Sequence, residues 1–175
     1  MIAIPAPARR LLAADRRGLA VIEFALILPP LVLLVALIVD IGLCYNARLN
    51  TLRGAAAGAM YAFENGGDVT AATADAFRGT ISNIVQQGAG STSPAVTVLV
   101  NNVAGPGAAD QFYCTSGKPT QWRSTGAASM ACGDDTMSAK FVTIRTAGTP
   151  VAIIPVVAFG ARIFPQTATI VVRTK

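Results

Sequence analysis

The sequence contains no histidine, and that absence removes more chemistry than any other feature of its composition. Without imidazole there is no Ser–His pair to activate a hydroxyl, and Lys140 has no serine motif beside it. A zinc site would need closely spaced thiolates, and Cys114 and Cys132 are too far apart in sequence for a convincing zinc pattern. No metal and no other cofactor is expected. Acids are also scarce, nine in 175 residues, and past Glu23 they are scattered except for Asp134–Asp135. Adjacent aspartates in a turn-rich stretch are most simply turn formers. Placed general acid–base groups are therefore lacking, and the chain is not expected to be an enzyme.

Charge as a whole is sparse, at 13% of residues against 53% hydrophobic, which is far from a disordered composition. Of the net +5, Arg9, Arg10, Arg16 and Arg17 against Asp15 place +3 in the first eighteen residues, leaving +2 for the rest. No basic face remains to grip phosphates, so nucleic acid is not an expected partner.

Charge is missing altogether from Phe24 to Val39, within "RRGLAVIEFALILPPLVLLVALIVD" at residues 16–40. From Leu19 to Leu43 a helix is about 37 Å long at roughly 1.5 Å per residue, enough to cross a hydrocarbon core of about 30 Å. Glu23 and Asp40 fall near its two ends. The arginines on the N-terminal side predict a cytoplasmic N-terminus with the rest of the chain outside the cytoplasmic membrane. No A-x-A-like cleavage site follows the apolar run, whose continuation is "DIGLCYNA". Leu43 is bulky where a lipoprotein signal needs a small residue before Cys44. The span is thus expected to be retained.

The residues around Gly18 carry a resemblance. "RRGLAVIEF" is similar to the leader junction of type IV pilins, in which a basic leader and a glycine precede four apolar residues and a glutamate. "FALILPPLVLLVALIVDIG" resembles more narrowly the TadE-like pseudopilins of the tight-adherence (Tad/Flp) pilus. The likeness covers about residues 16–62 and is diffuse beyond. It implies cleavage between Gly18 and Leu19 by a prepilin peptidase, leaving Glu23 as the fifth residue, followed by Phe24, at the assembly and recognition end.

Physics gives Glu23 a reason independent of the likeness. Cleavage would liberate an α-amino group that is mostly cationic near neutral pH. The ammonium of one subunit and the Glu23 carboxylate of another would neutralise each other in a low-dielectric bundle, whereas an unpaired buried carboxylate is penalised. The plain alternative is a glutamate snorkelling to lipid headgroups. Pro29 and Pro30 lack the N–H groups that would bond the carbonyls of Ala25 and Leu26. They read either as a tolerated kink or as a pliable point between bilayer and filament shapes.

Beyond the span, Ile41, Tyr45, Leu49, Leu52, Ala56, Ala59 and Phe63 recur at helical spacing as an amphipathic stripe. "RGAAAGAM" supplies small residues for close approach to a neighbouring helix. "ENGGD" ends the element, with Asp68 placed to cap a second amphipathic helix running to Gln87 before Gly88 and covering a sheet. "PAVTVLVNN" (94–102), "AKFVTIRT" (139–146) and "TATIVVRT" (167–174) are rich in β-branched residues and read as strands. The turn-rich stretch between the first two reads as a loop, and its "GPGAAD" lacks the full glycine pattern of a phosphate loop. Cys114 and Cys132 bracket seventeen residues of it. In an exported compartment a bridge between them is expected, restricting the unfolded chain by about 3 kcal/mol in the entropy model. The apolar "TPVAIIPVVAFGARIFPQ" (149–166) is broken too often by Pro and Gly for a second span. Either it folds onto the sheet or it forms a sticky patch for other subunits.

The expected fold is α+β: a long N-terminal transmembrane and amphipathic helix, a second helix and a small antiparallel sheet of three or four strands. The expected organisation is a cleaved leader at 1–18, a span at 19–43, a continuing helix at 44–66 and an extracytoplasmic α+β domain at 67–175 with its disulfide loop at 114–132. The resemblance implies a pseudopilin or minor pilin for Tad pilus assembly in adhesion or biofilm formation. Its partners would be the prepilin peptidase, other pilin and pseudopilin subunits, inner-membrane pilus assembly and secretion machinery, and membrane lipid. The location would be the bacterial inner membrane, single-pass, with a periplasmic domain and later incorporation into an extracellular pilus. The alternative is a single-pass anchored binding domain that never polymerises.

Overall fold

A computed structural model of the chain describes residues 17–116, 120–133, 135–148 and 166–174. The expected leader up to residue 16 and the apolar segment 149–165 lie outside these described residues. Helix α1 spans Arg17–Asn65, 49 residues, and continues through Pro29 and Pro30. As the Asn-Gly-Gly signal predicts, it ends at Asn65 and passes into a 3-10 turn at Gly66–Asp68.

Helix α2 covers Ala74–Ala89, later than the expected start after Asp68. Asp68 belongs to the 3-10 turn and does not cap α2. The start is set instead by a threonine turn: the Thr70 N–H donates to Thr73 Oγ1 at 3.0 Å, and the Thr73 N–H donates to Thr70 O at 3.1 Å. The Ala71 N–H is satisfied from far away, by Asp110 Oδ1 at 2.9 Å. Such a partner satisfies a backbone donor of the turn that precedes the helix.

Three strands form an antiparallel sheet in the order β1–β4–β5: β1 Ala95–Val100, β4 Phe141–Ala147 and β5 Thr167–Arg173. Val98 faces Ile144, which faces Ile170. β1 stops short of the expected 102 because Asn101 and Asn102 take φ of 53° and 61°, a left-handed backbone that asparagine tolerates better than most residues. One face of the sheet supplies Val98, Val100, Val142 and Ile144, which meet Phe77, Ile81 and Val85 of α2 and Ala62 of α1. Each large side chain fully buried here contributes roughly 1.5–3 kcal/mol of transfer free energy.

Within the stretch expected to be a loop there is a hairpin, β2 Phe112–Ser116 with β3 Gln121–Gly126. Its strands mix aromatic and small polar residues, so they lack the β-branched runs that marked the other three. What holds it is tertiary: Trp122 meets Phe141 edge-on at 5.2 Å, and Tyr113 bridges Ala139 just before β4.

The two helices approach closely because of three glycines. A Cβ built on Gly54 would lie 2.3 Å from the Val85 carbonyl oxygen and 2.9 Å from the Ala89 nitrogen. One on Gly88 would lie 2.8 Å from Gly54 Cα, and one on Gly58 would lie 2.6 Å from a Val85 methyl. At Gly54 the obstacle is backbone, which cannot rotate aside. Gly54→Val is therefore expected to cost about 3 kcal/mol or more, at the upper end of overpacking effects. Gly79→Val, with open space around the site, is expected to be neutral or slightly stabilising, since valine is the better helix former. Urea unfolding of both detergent-solubilised variants reads the difference, and equal midpoints would reject the close-packing account.

Candidate functional site

From Ala20 to Val35 every residue of α1 is exposed, apolar side chains included. It is one helix long and apolar enough to cross a membrane, as expected for single-pass anchoring. Glu23 is exposed within it and has no ion-pair partner among the described side chains. Phe24 is 62% exposed beside it. Gly18 and Leu19 lie in the first turns of the same helix, so the junction residues and Glu23 are separated by little more than one turn. Pro29 and Pro30 follow, and having no N–H they cannot give the carbonyls of Ala25 and Leu26 their usual helical bonds.

Past the span, α1 divides its sides by size. Cys44, Thr51, Gly54, Ala55, Gly58 and Ala62 are buried against the domain. Tyr45, Leu52, Ala56, Met60 and Phe63 are exposed, Met60 at 68%. Four residues of the amphipathic stripe expected from sequence thus face outward, while Ile41, Leu49 and Ala59 are half-buried. The helical period was correct, but the side taken by the core is the small one. Only small side chains admit the α2 backbone, and the large ones are displaced outward. The neighbour that "RGAAAGAM" receives is α2 of the same chain.

Where α1 leaves the apolar span, Asp40 and Cys44 are 3% and 2% exposed. The Gln166 side-chain amide donates to Cys44 O at 2.9 Å, and the Gly148 N–H donates to Gln166 O at 2.9 Å. Burial, and secondarily the charge of Asp40, pushes the Cys44 thiol above its ordinary range, so this free cysteine is a poor nucleophile. Nothing in the sequence marked Gln166, which closes an apolar run 122 residues away from its partner.

At the other end of the domain, Cys114 and Cys132 are joined by a disulfide with Cα atoms 5.8 Å apart. Lys140 is buried, with Nζ donating to Val69 O at 2.6 Å and lying 5.7 Å from the Phe112 ring centre. Arg78 pairs with Asp75 at 2.8 Å and donates to Gly105 O at 2.8 Å, pinning the loop after β1 to α2. Asn101 organises the same loop through three side-chain hydrogen bonds. Sequence reading singled out none of these three as organising residues. Among the described residues no group of three or more Cys, Asp or Glu could hold a metal ion.

The family model described as TadE-like protein matches residues 18–60, the span and most of its continuation, consistent with a TadE-like pseudopilin. No curated protein matches the chain, and no solved structure does.

Proposed function

We propose, from the TadE-like character of residues 18–60, that this chain is a minor pilin or pseudopilin that is cleaved after Gly18 and built into or onto a Tad pilus. The family match associates the chain with the Tad pilus system and so with other pilus components. The observation that carries the finer reading is the shape of α1. It is a single continuous helix that is exposed all round from Ala20 to Val35 and whose outer half keeps Leu52, Ala56 and Met60 exposed opposite the domain. A helix open all round over its first turns and along one side beyond them has room for neighbouring helices of other subunits, and the domain leaves that side clear.

In this reading a prepilin peptidase cuts between Gly18 and Leu19 on the cytoplasmic face of the inner membrane. The domain lies in the periplasm, where an oxidising milieu suits the Cys114–Cys132 bridge. Glu23 then meets the terminal ammonium of another subunit, inner-membrane assembly machinery lifts the chain from lipid, and the finished pilus serves adhesion or biofilm formation. The role is structural and not catalytic. N-terminal sequencing of the protein recovered from the cell envelope tests it: the chain is expected to begin at Leu19. Gly18→Leu is expected to block processing. An intact Met1, or unchanged cleavage in that variant, supports the non-polymerising anchored domain instead.

A further inference from the structure

We infer that the cleft between the β2–β3 hairpin and residues 130–133 is a binding site for an acidic sugar. The inference goes beyond membership of a pilus. It needs only the folded, disulfide-bonded domain, and neither cleavage nor assembly.

The cleft has a volume of about 690 Å³, within the range of small-molecule sites. Its two walls are separate pieces of chain. One is the hairpin face that carries Cys114, Ser116, Arg123 and Thr125. Cys114 stands opposite Arg123 in the hairpin register, and residues two apart on a strand share a face. The other wall is Met130 to Gly133, which is held by its own return. There the Cys132 N–H donates to Thr136 O at 2.7 Å, and the Ser138 N–H donates to Met130 O at 2.8 Å. The Met130 N–H donates to Ser138 Oγ at 2.8 Å. The Cys114–Cys132 disulfide joins the two walls. Behind the hairpin, Trp122 packs edge-on against Phe141 of β4. The cleft is therefore formed before a ligand arrives, which lowers the ordering cost of binding.

The walls differ in chemistry, and together they define the ligand. Arg123 is exposed and makes no ion pair among the described residues, and no described residue lining the cleft is acidic. Its guanidinium fork matches a carboxylate. Thr125 spends its hydroxyl proton on Phe112 O at 3.1 Å, so toward the cleft it offers lone pairs and calls for a donor. Ser116 is exposed and can donate or accept. The facing wall is apolar, with Met130 at 55% exposure beside Ala131 and the disulfide. A fitting ligand thus combines a carboxylate, hydroxyl donors and an aliphatic face. A uronic acid has all three, its carboxylate toward Arg123 and the C–H side of its ring toward Met130. An inorganic anion has neither the donors nor the aliphatic face. An acidic peptide recognised by strand addition needs free backbone groups, and the N–H groups of Met130 and Cys132 are already bonded within the chain.

The test is calorimetric titration of the detergent-solubilised full chain with trigalacturonate. Saturable binding is expected, and its absence overturns the site. Arg123→Gln is expected to weaken binding by at least about tenfold, through loss of a charge-assisted pair. Arg145→Gln, which changes an exposed arginine outside the cleft, is expected to bind as the parent does. The carboxyl-reduced trisaccharide is expected to bind at least about tenfold more weakly than trigalacturonate. Equal binding of that neutral sugar, or an Arg123→Gln variant that binds normally, overturns the assignment. So does displacement by equimolar inorganic sulfate, which would mark a site for any anion, or equally tight binding of triglutamate, which would mark a peptide site. Cys114→Ser/Cys132→Ser is expected to lose binding while keeping its far-UV circular dichroism. Undiminished binding there overturns the preformed cleft, and should that variant not fold, Arg123→Gln decides alone.

Discussion

Glu23→Gln is expected to leave cleavage after Gly18 intact while lowering incorporation into pili by at least about a hundredfold. Glutamine keeps the size and polarity of the side chain but removes its charge. The new terminal ammonium of the neighbouring subunit would then enter a helix bundle with no anion to meet it. Removing one partner of a buried ion pair costs roughly 3–5 kcal/mol, because the other charge is left uncompensated, and about 1.4 kcal/mol corresponds to tenfold. The surroundings of Glu23 support the low-dielectric setting, since its neighbours Ile22 and Phe24 are apolar and exposed. The measurement is the amount of variant in sheared pili relative to the amount in the membrane, together with N-terminal sequence. Normal incorporation of a correctly cleaved variant would remove the pairing as the assembly device.

Asn101→Asp is expected to destabilise the domain by about 3–5 kcal/mol without any change of shape. Asn101 is 1% exposed. Its Nδ2 donates to Ala108 O at 2.7 Å and to Gln111 O at 2.8 Å, and its Oδ1 accepts the Phe141 N–H at 2.8 Å. Its own N–H donates to Phe141 O at 2.7 Å. Aspartate preserves the acceptor and tolerates the positive φ, but it turns an oxygen toward two carbonyls. Each orphaned carbonyl costs about 1–3 kcal/mol, and a buried unpaired carboxylate adds to that. Asn102→Asp is the matched control: Asn102 has the same left-handed backbone but is exposed, so its effect is expected within about 0.5 kcal/mol. Urea unfolding of both variants decides. A loss below about 1 kcal/mol for Asn101→Asp would mean that the network is not what holds the loop after β1.

The contrast between these two residues shows what was legible in advance. Glu23 draws notice in the sequence because of a local mismatch, an acid inside an apolar run five residues after Gly18. The span, the end of α1 at Asn65 and the three sheet strands were legible for the same reason, since charge gaps, Asn-Gly-Gly and β-branched runs are local signals. Asn101 bonds Phe141 across 40 residues, Lys140 bonds Val69 across 71 and Gln166 bonds Cys44 across 122. No window of sequence contains such pairs. Asp110 ties down the turn before α2 in the same way, and Phe141 supports the hairpin from outside it. The outer face of α1 is a subtler case. Periodicity shows that a helix has two sides, but which one meets the core depended on whether α2 could approach Gly54 and Gly58.

The uninterrupted backbone of α1 between the span and the domain has a mechanical meaning. No linker lies between residues 40 and 65 to take up slack, and the bond from Gln166 to Cys44 ties the domain to the helix at its lower edge. In the proposed assembly, each residue of α1 drawn out of lipid would lift the domain by about 1.5 Å. From residue 40 to residue 65 helix and domain form one body, so in that assembly a pull on the one would be passed directly to the other.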